Sequence, residues 1–520
     1  MTPPARFVLG AGRLTIGDVA AMSAPGTRVE LAPACHAAIA RSRAAVAASL
    51  ETDAPIYGLT TGLGGNIGYR VQANEIAAFQ VQIVRGRMIG MGDPLPRRLC
   101  RAALLCRLAE LSSGRTGVSP GAIATLIEMF NRDVTPVVPR FGSMGASDIG
   151  LVAHLVSVAI GLGEAWVGER RLPGHEALAA VDLAPARLEA KDGLGLISHG
   201  ALTSAASALA LVAIGDLLAE QAAVAALSFE GFAANPTIFD ARLHAARPAA
   251  GQVAAAAAMR RLLAGSYLHA PGAPAKIQDA LCFRELAPIL GTAMAAFDHA
   301  VGELEIEING VTCSPLVLLE EGEMLSSPNF HPSSLALAMD ALAIALAHAA
   351  WATAMRICKL MTHHFSGLAK YLSPVGNGSA GYVSLQKTTA GLYAEIRART
   401  FPAMLDALPV SETVEDMSPL AFLAVRKLEE QLPALRYLNA IEAVAAAQAV
   451  DLRAVADRLA PATARVHAAL RAKVPPLGDD REPGRDVEAA RAALDDPSLV
   501  AALRKHMSVA DAAKTGSTGL

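Results

Sequence analysis

Aromatic side chains make up only 4% of this 520-residue chain. Long stretches, Ala201 to Leu227 and Leu335 to Met355, hold almost no strand formers. Ala and Leu are strong helix formers, so a mainly α protein with closely packed helices is expected. The cysteines Cys35, Cys100, Cys106, Cys282, Cys313 and Cys358 are scattered without a Cys-x-x-Cys pair. That spacing argues against a zinc site or a disulfide framework and suits a reducing, cytoplasmic setting. Residues 1–20 lack a basic start followed by an apolar core, so no secretory signal is expected. The longest uncharged helical runs end at Asp216 and lie between Asp340 and Arg356. At about 15 residues each they fall short of the roughly 20 that cross a bilayer, so they are expected to be core helices, with no membrane partner. A net charge of −3 argues against a nucleic-acid partner.

What the chain does have is a cluster of small residues, Gly142-Ser143-Met144-Gly145-Ala146-Ser147-Asp148-Ile149-Gly150. It lies between Thr135-Pro136-Val137-Val138-Pro139 and the apolar run Leu151 to Leu162. The glycines permit close, unusual turns, and the run behind them has the length of a buried helix. Ala146-Ser147 is therefore expected at a helix entrance, where unpaired N–H groups and partial positive charge stabilise an anion or sharpen an electrophile. Asp148 is the expected cap, accepting the first-turn amides of that helix.

Other loops punctuate the helical pattern. Tyr57-Gly58-Leu59-Thr60-Thr61-Gly62-Leu63-Gly64 is glycine-rich but lacks the endings of phosphate- or dinucleotide-binding loops. Its Tyr57 is either a proton-transfer group or an anchoring phenol. Arg87 follows Arg85 and Gly86 near the end of a helical pattern from Glu75 to Met91. A small hairpin is expected over Trp166 to Leu172. Lys191 to Gly200 leads into a long Ala-rich helix with Ser198 or His199 at its entrance. From Pro274 to Glu285 the pattern reads as helical, with Gln278, Leu281 and Cys282 near one face and Arg284 half a turn beyond. Arg284 has the planar fork that clamps a carboxylate. His363-His364 lacks carboxylates at metal-binding spacing, so no metal site is expected. Three blocks are expected: an N-terminal active-site region over 1–200, a helical bundle over 201–474 and a C-terminal helical tail over 475–520, frayed from Thr515 to Leu520 and interlocked as one unit.

These loops, in this order, resemble the histidine/phenylalanine ammonia-lyase family, the aromatic amino acid lyases. The resemblance runs through nearly the whole chain. It is carried by Tyr57 to Gly64, Gly142 to Ser147, Lys191 to Ile197, Ile277 to Ala280 with Arg284, Leu304-Glu305-Ile306-Glu307, Glu321-Gly322-Glu323 with Asn329-Phe330-His331, and Glu415-Asp416. It implies a long-helix bundle of the ammonia-lyase type and a homotetramer whose sites are built by loops from several subunits. It also implies a small amino-acid-like substrate and no external cofactor. In the family an Ala-Ser-Gly tripeptide cyclises to a methylidene-imidazolone (MIO) that helps the amine leave while a tyrosine removes the β-proton. Carried over, Ala146 and Ser147 would build that electrophile, Tyr57 would be the base and Arg284 would hold the substrate carboxylate. Gln278 and Phe330 would line the site, and Glu415 matches the acid of histidine-type members.

The departures gather at the same places. Asp148 stands where the ring-closing glycine is expected, Ser198-His199 where an asparagine usually lies, Leu281 for a second tyrosine, Ser314 for the asparagine of an Asn-Pro pair, and Arg87 for a pocket histidine. Arg87 would suit an acidic substrate group or pair with Glu415. Two classes of function follow. One is a carbon–nitrogen lyase, with an electrophile from Ala146-Ser147-Asp148 or by MIO-free elimination through Tyr57. The other is a diverged homologue with another reaction, or a ligand-binding scaffold without lyase activity.

Overall fold

A computed structural model describes residues 6–52, 54–376, 378–405 and 407–507; the tail Thr515 to Leu520 lies outside them. Helices dominate, as the composition requires. The longest are Ala201–Phe232, Leu286–Asn309, Ser333–Leu360 and Ala421–Arg453. The helices Ile16–Met22 and Pro120–Asn131 each follow a capping residue, Thr15 and Ser119, whose side chain accepts a first-turn amide. The hairpin pairs Glu164–Val167 with Arg170–Pro173, and Thr135–Pro136 adds a third strand beside it. A parallel pair, Arg6–Leu9 with Arg28–Leu31, includes a strand that the sequence pattern did not single out.

The chain forms two compact units. The first comprises Met1–Val212, Ala300–Asp340 and Pro402–Arg426; the second comprises Ala213–His299, Ala341–Phe401 and Lys427–Leu520. In the second unit small residues set how closely helices approach. A Cβ on Gly251 would meet the Gly291 carbonyl oxygen at 2.0 Å, so the helices Ala250–Leu262 and Leu286–Asn309 touch backbone to backbone there. The same unit buries a fork-to-fork ion pair. Arg356 donates to both oxygens of Glu442, at 2.6 and 2.9 Å, and Ser228 adds a third hydrogen bond at 2.8 Å.

Two helical stretches, Asp192–Phe232 and Ser333–Leu360, are long and apolar enough by length and composition to cross a membrane, with mean hydropathies of 1.8 and 1.7. This corrects the expectation drawn from uncharged runs alone, because the helices continue through isolated charges such as Asp216 and Asp340. In each, 72% of the most apolar window is buried inside the protein, the environment of a core helix.

Candidate active site

The small-residue stretch folds as a tight turn into the helix Ile149–Ser157, as its spacing predicts. Gly145, at φ 76°, lies so close to the Pro402–Arg426 segment that a Cβ would meet the Ala421 nitrogen at 2.2 Å. The Met144 carbonyl accepts hydrogen bonds from the Leu420 amide, at 3.1 Å, and from the Ser418 hydroxyl. Ser147 and Asp148 both adopt left-handed backbone, at φ 59° and 38°, a conformation that costs a side-chain-bearing residue roughly 1–2 kcal/mol and persists only where neighbours enforce it. Here the Ser147 amide donates to the Phe330 carbonyl at 3.1 Å. Ser147 and Asp148 are each only 1% exposed.

Asp148 occupies the expected capping position, but its side chain makes no bond to its own helix. Its backbone carbonyl instead accepts the Leu151 and Val152 amides, at 2.8 and 2.9 Å. The carboxylate turns away, accepting the Ser143 hydroxyl on one oxygen and the Thr203 amide on the other, the latter at 2.8 Å. Thr203 lies in the first turn of Ala201–Phe232, so the acid caps the next long helix rather than its own. Left-handed backbone at the capping residue aims the side chain that way. Burial raises the Asp148 pKa, against the lowering effect of the Ser143 and Thr203 hydrogen bonds.

Two contacts bring the other loops of the first unit alongside. Around Gly142, a Cβ would meet the Cα of Gly90 at 3.1 Å, and one on Gly150 would meet Ile89 at 2.5 Å. The end of the helix Ile76–Arg85, with Arg87 just beyond, therefore packs against this turn. A Cβ on Gly58 would meet Leu194 at 2.6 Å, which sets the Tyr57 loop on the short helix Asp192–Ile197. The Tyr57 oxygen accepts the Gly64 amide at 2.9 Å. Arg87 is half-buried; burial lowers its pKa, and the nearby Tyr57 and Glu415 act in the opposite sense. No ion pair joins Arg87 to Glu415 among the described residues. Glu415, exposed, instead accepts the Ser411 hydroxyl at 2.9 Å.

Ser198 and His199 follow Asp192–Ile197 and are almost fully buried. The long helix starts only at Ala201, so they form a break between two helices. Ser198 accepts the Ser314 amide at 3.4 Å. His199 Nε2 lies 3.8 Å from Glu110, and its Nδ1 has no hydrogen-bond partner among the described residues. Burial, with Arg107 close by, drives the His199 pKa well below its usual value, so the ring is neutral. Beneath it lies a polar network that sequence reasoning missed. Arg107 donates to Glu110 and to the Gly195 carbonyl, and Glu110 accepts the Cys313 amide at 3.0 Å. The fully buried Lys191 reaches Cys313 Sγ at 3.7 Å. Within the mostly buried helix Arg97–Ser112, Arg107 and Glu110 three residues apart were the available signal.

Gln278 and Arg284 belong to the second unit. Only Leu281–Arg284 is helical there, so Gln278 is not on a shared helix face with Leu281 and Cys282 as the pattern suggested. Asp279 accounts for the difference: its carboxylate accepts the Asn235 amide at 2.7 Å, holding the chain before Leu281 in a non-helical path. Arg284 nevertheless meets Gln278, donating to its Oε1 at 2.8 Å.

The ring of the resembling family requires the third residue's amide nitrogen to reach the first residue's carbonyl carbon, and it consumes the second residue's N–H. Ser147 keeps the hydroxyl that such chemistry would eliminate, and that oxygen has no hydrogen-bond partner among the described residues. The third position does not fit. Asp148 is fixed through its carbonyl by the helix it starts and through both carboxylate oxygens by Ser143 and Thr203. The Ser147 N–H that closure would consume is already donated to Phe330.

Residues 14–472 match the family model described as aromatic amino acid lyase. The histidine ammonia-lyase of Aromatoleum aromaticum is 36% identical over 497 residues, 95% of this chain and 94% of that protein. Among solved structures, the ergothioneine-degrading enzyme ergothionase from Treponema denticola, in complex with desmethyl-ergothioneine sulfonic acid, superposes with a TM-score of 0.90. It is 28% identical and covers 95% of this chain and 99% of its own. The phenylalanine aminomutase of Pantoea agglomerans superposes with a TM-score of 0.89 at 26% identity, covering 94% and 99%.

Proposed function

Because this chain belongs to the aromatic amino acid lyase family, we propose that it breaks the Cα–N bond of a histidine-type amino acid with Tyr57 as base and Ala146-Ser147-Asp148 left as ordinary peptide. The observation that carries this reading is the Asp148 carboxylate, held on both oxygens where ring closure needs a free, compact residue.

Without an internal electrophile the amine has to leave unaided. A protonated primary amine departs poorly, whereas a fully alkylated ammonium departs as a neutral tertiary amine. Ergothioneine, the compound degraded by the Treponema denticola neighbour, carries such a trimethylated amine on a histidine-like skeleton, which supports a substrate of that kind here. In the proposed step Tyr57 takes the β-proton, the C–H pair becomes the new C=C bond, and the C–N pair leaves with the amine. The Gly64 amide directed at the Tyr57 oxygen would stabilise the phenolate that accepts this proton. Phe330, Ser198 and His199, in the same unit as Tyr57, are proposed as walls of this site, and the fork of Arg284, with Gln278 bonded to it, is proposed to hold a carboxylate.

A homotetramer with shared sites, in the cytoplasm, is part of the same reading. One face of Ser333–Leu360 supports the assembly: Leu337, Ile344, Trp351 and Met355 are 54%, 48%, 48% and 37% exposed. With exposed Ala341 and His348 between them they alternate at spacings of four and three residues, a seam suited to a partner helix. The test is to offer L-histidine, L-phenylalanine, L-tyrosine and ergothioneine to the purified protein and follow amine release and the ultraviolet absorbance of an unsaturated acid. Elimination from ergothioneine, with the primary amines inert, is the expected outcome. No amine from any of the four would overturn it.

A further inference from the structure

Arg87 lines a cavity of about 290 Å³ together with Gly62, Leu63, Asn66, Tyr69 and Phe79. Its guanidinium is half-buried, yet among the described residues it makes no hydrogen bond and no ion pair. Arginine presents five N–H donors in a fixed plane, and those of Arg87 are left open to an incoming acceptor. Elsewhere the protein satisfies such groups. Arg101 and Arg356, both nearly fully buried, make four hydrogen bonds each. Arg87 has no such partners among the described residues, and it lines an opening.

The walls narrow what could complete it. Phe79 and Tyr69 supply aromatic surface, Gly62 and Leu63 bring backbone close, and the Tyr69 hydroxyl is already engaged with Glu75 at 3.2 Å. Aromatic surface favours a planar group, and the guanidinium favours an acceptor at its end. Glu415 and Tyr57 are close enough to act electrostatically on Arg87, which orients this subsite beside the proposed base.

We propose that this cavity is an anion subsite in which Arg87 binds a negatively charged group, a carboxylate or a thiolate, at the far end of the substrate's side chain. The assignment rests on the reading of Tyr57 as part of the substrate site. It makes Arg87 the residue that selects among side chains: a ring ending in an anion is held by paired N–H donors, and a ring ending in a cation is rejected by like charge.

The test measures binding without turnover. Isothermal titration of the full chain with cinnamate, 4-carboxycinnamate and 4-mercaptocinnamate compares planar unsaturated acids that differ only at the far end. The carboxylate or the thiolate compound should bind about tenfold or more tighter than cinnamate, the gain expected of a charge-assisted hydrogen bond, and which of the two gains more identifies the group. Arg87→Gln should erase the difference and Arg87→Lys should keep part of it, with unchanged melting temperatures showing that both variants are folded. Equal affinity of all three compounds for the unaltered protein, or a preference that survives in Arg87→Gln, would overturn the subsite. Absence of elimination from every amino acid offered, with the Arg87-dependent preference intact, would instead sink the lyase reading alone.

Discussion

The carboxylate of Asp148 accepts the main-chain amide of Thr203 at 2.8 Å. An acid that the sequence offers as the cap of one helix thus sits at the positive pole of another, and it stitches the Gly142–Gly150 turn to Ala201–Phe232. Replacing it by alanine strands the Thr203 amide and the Ser143 hydroxyl in a buried site. Asp148→Ala should lose about 1–3 kcal/mol of stability, read from the denaturant midpoint. Asp148→Asn, which keeps one acceptor oxygen, should lose less. Two variants of equal stability would show that the carboxylate is not what fixes the turn.

Tyr57 gives a separable effect, because its ring packs and its oxygen is offered to the chemistry. Tyr57→Phe should fold normally and lower kcat by roughly 10²–10⁴, the usual contribution of a placed base. Retention of the full rate would remove Tyr57 from the proton transfer.

Stability should depend on pH through Glu220 in the second unit. Burial pushes its carboxyl from 4.5 up to about 7, against the lowering effects of Arg491 and Asn439. The native state therefore holds a proton that the unfolded chain releases nearer 4.5. The stability this contributes is fully present below pH 4.5 and is lost as pH rises to about 7. Glu220→Gln should flatten that fall by on the order of 2 kcal/mol, measured as melting temperature against pH. Parallel curves for the two proteins would assign the dependence elsewhere.

Periodicity made the helices legible. Pro120–Asn131 begins at Pro120 after the capping Ser119, and a 3.6-residue pattern with a proline at the first position identifies it without tertiary help. The loops of the site were legible as loops, because glycine clusters mark where the backbone must turn. Their side-chain partners were not. Asp148 lies 55 positions from Thr203, and nothing local to either announces the other. The Gln278 segment misled for the same reason: its helical spacing is real, but the backbone before Leu281 is not helical, and Asp279 accepts the distant Asn235 amide. Arg87 was legible as a cation near a pocket, whereas its lack of a partner could be seen only once its surroundings were in place.

The mass of the intact purified chain bears most directly on whether the site works without a built-in electrophile. Ring formation from Ala146-Ser147-Asp148 would remove two waters, about 36 Da. A mass equal to that encoded by the sequence is the expected result, and a deficit of about 36 Da confined to a peptide containing Ala146 to Asp148 would contradict the account.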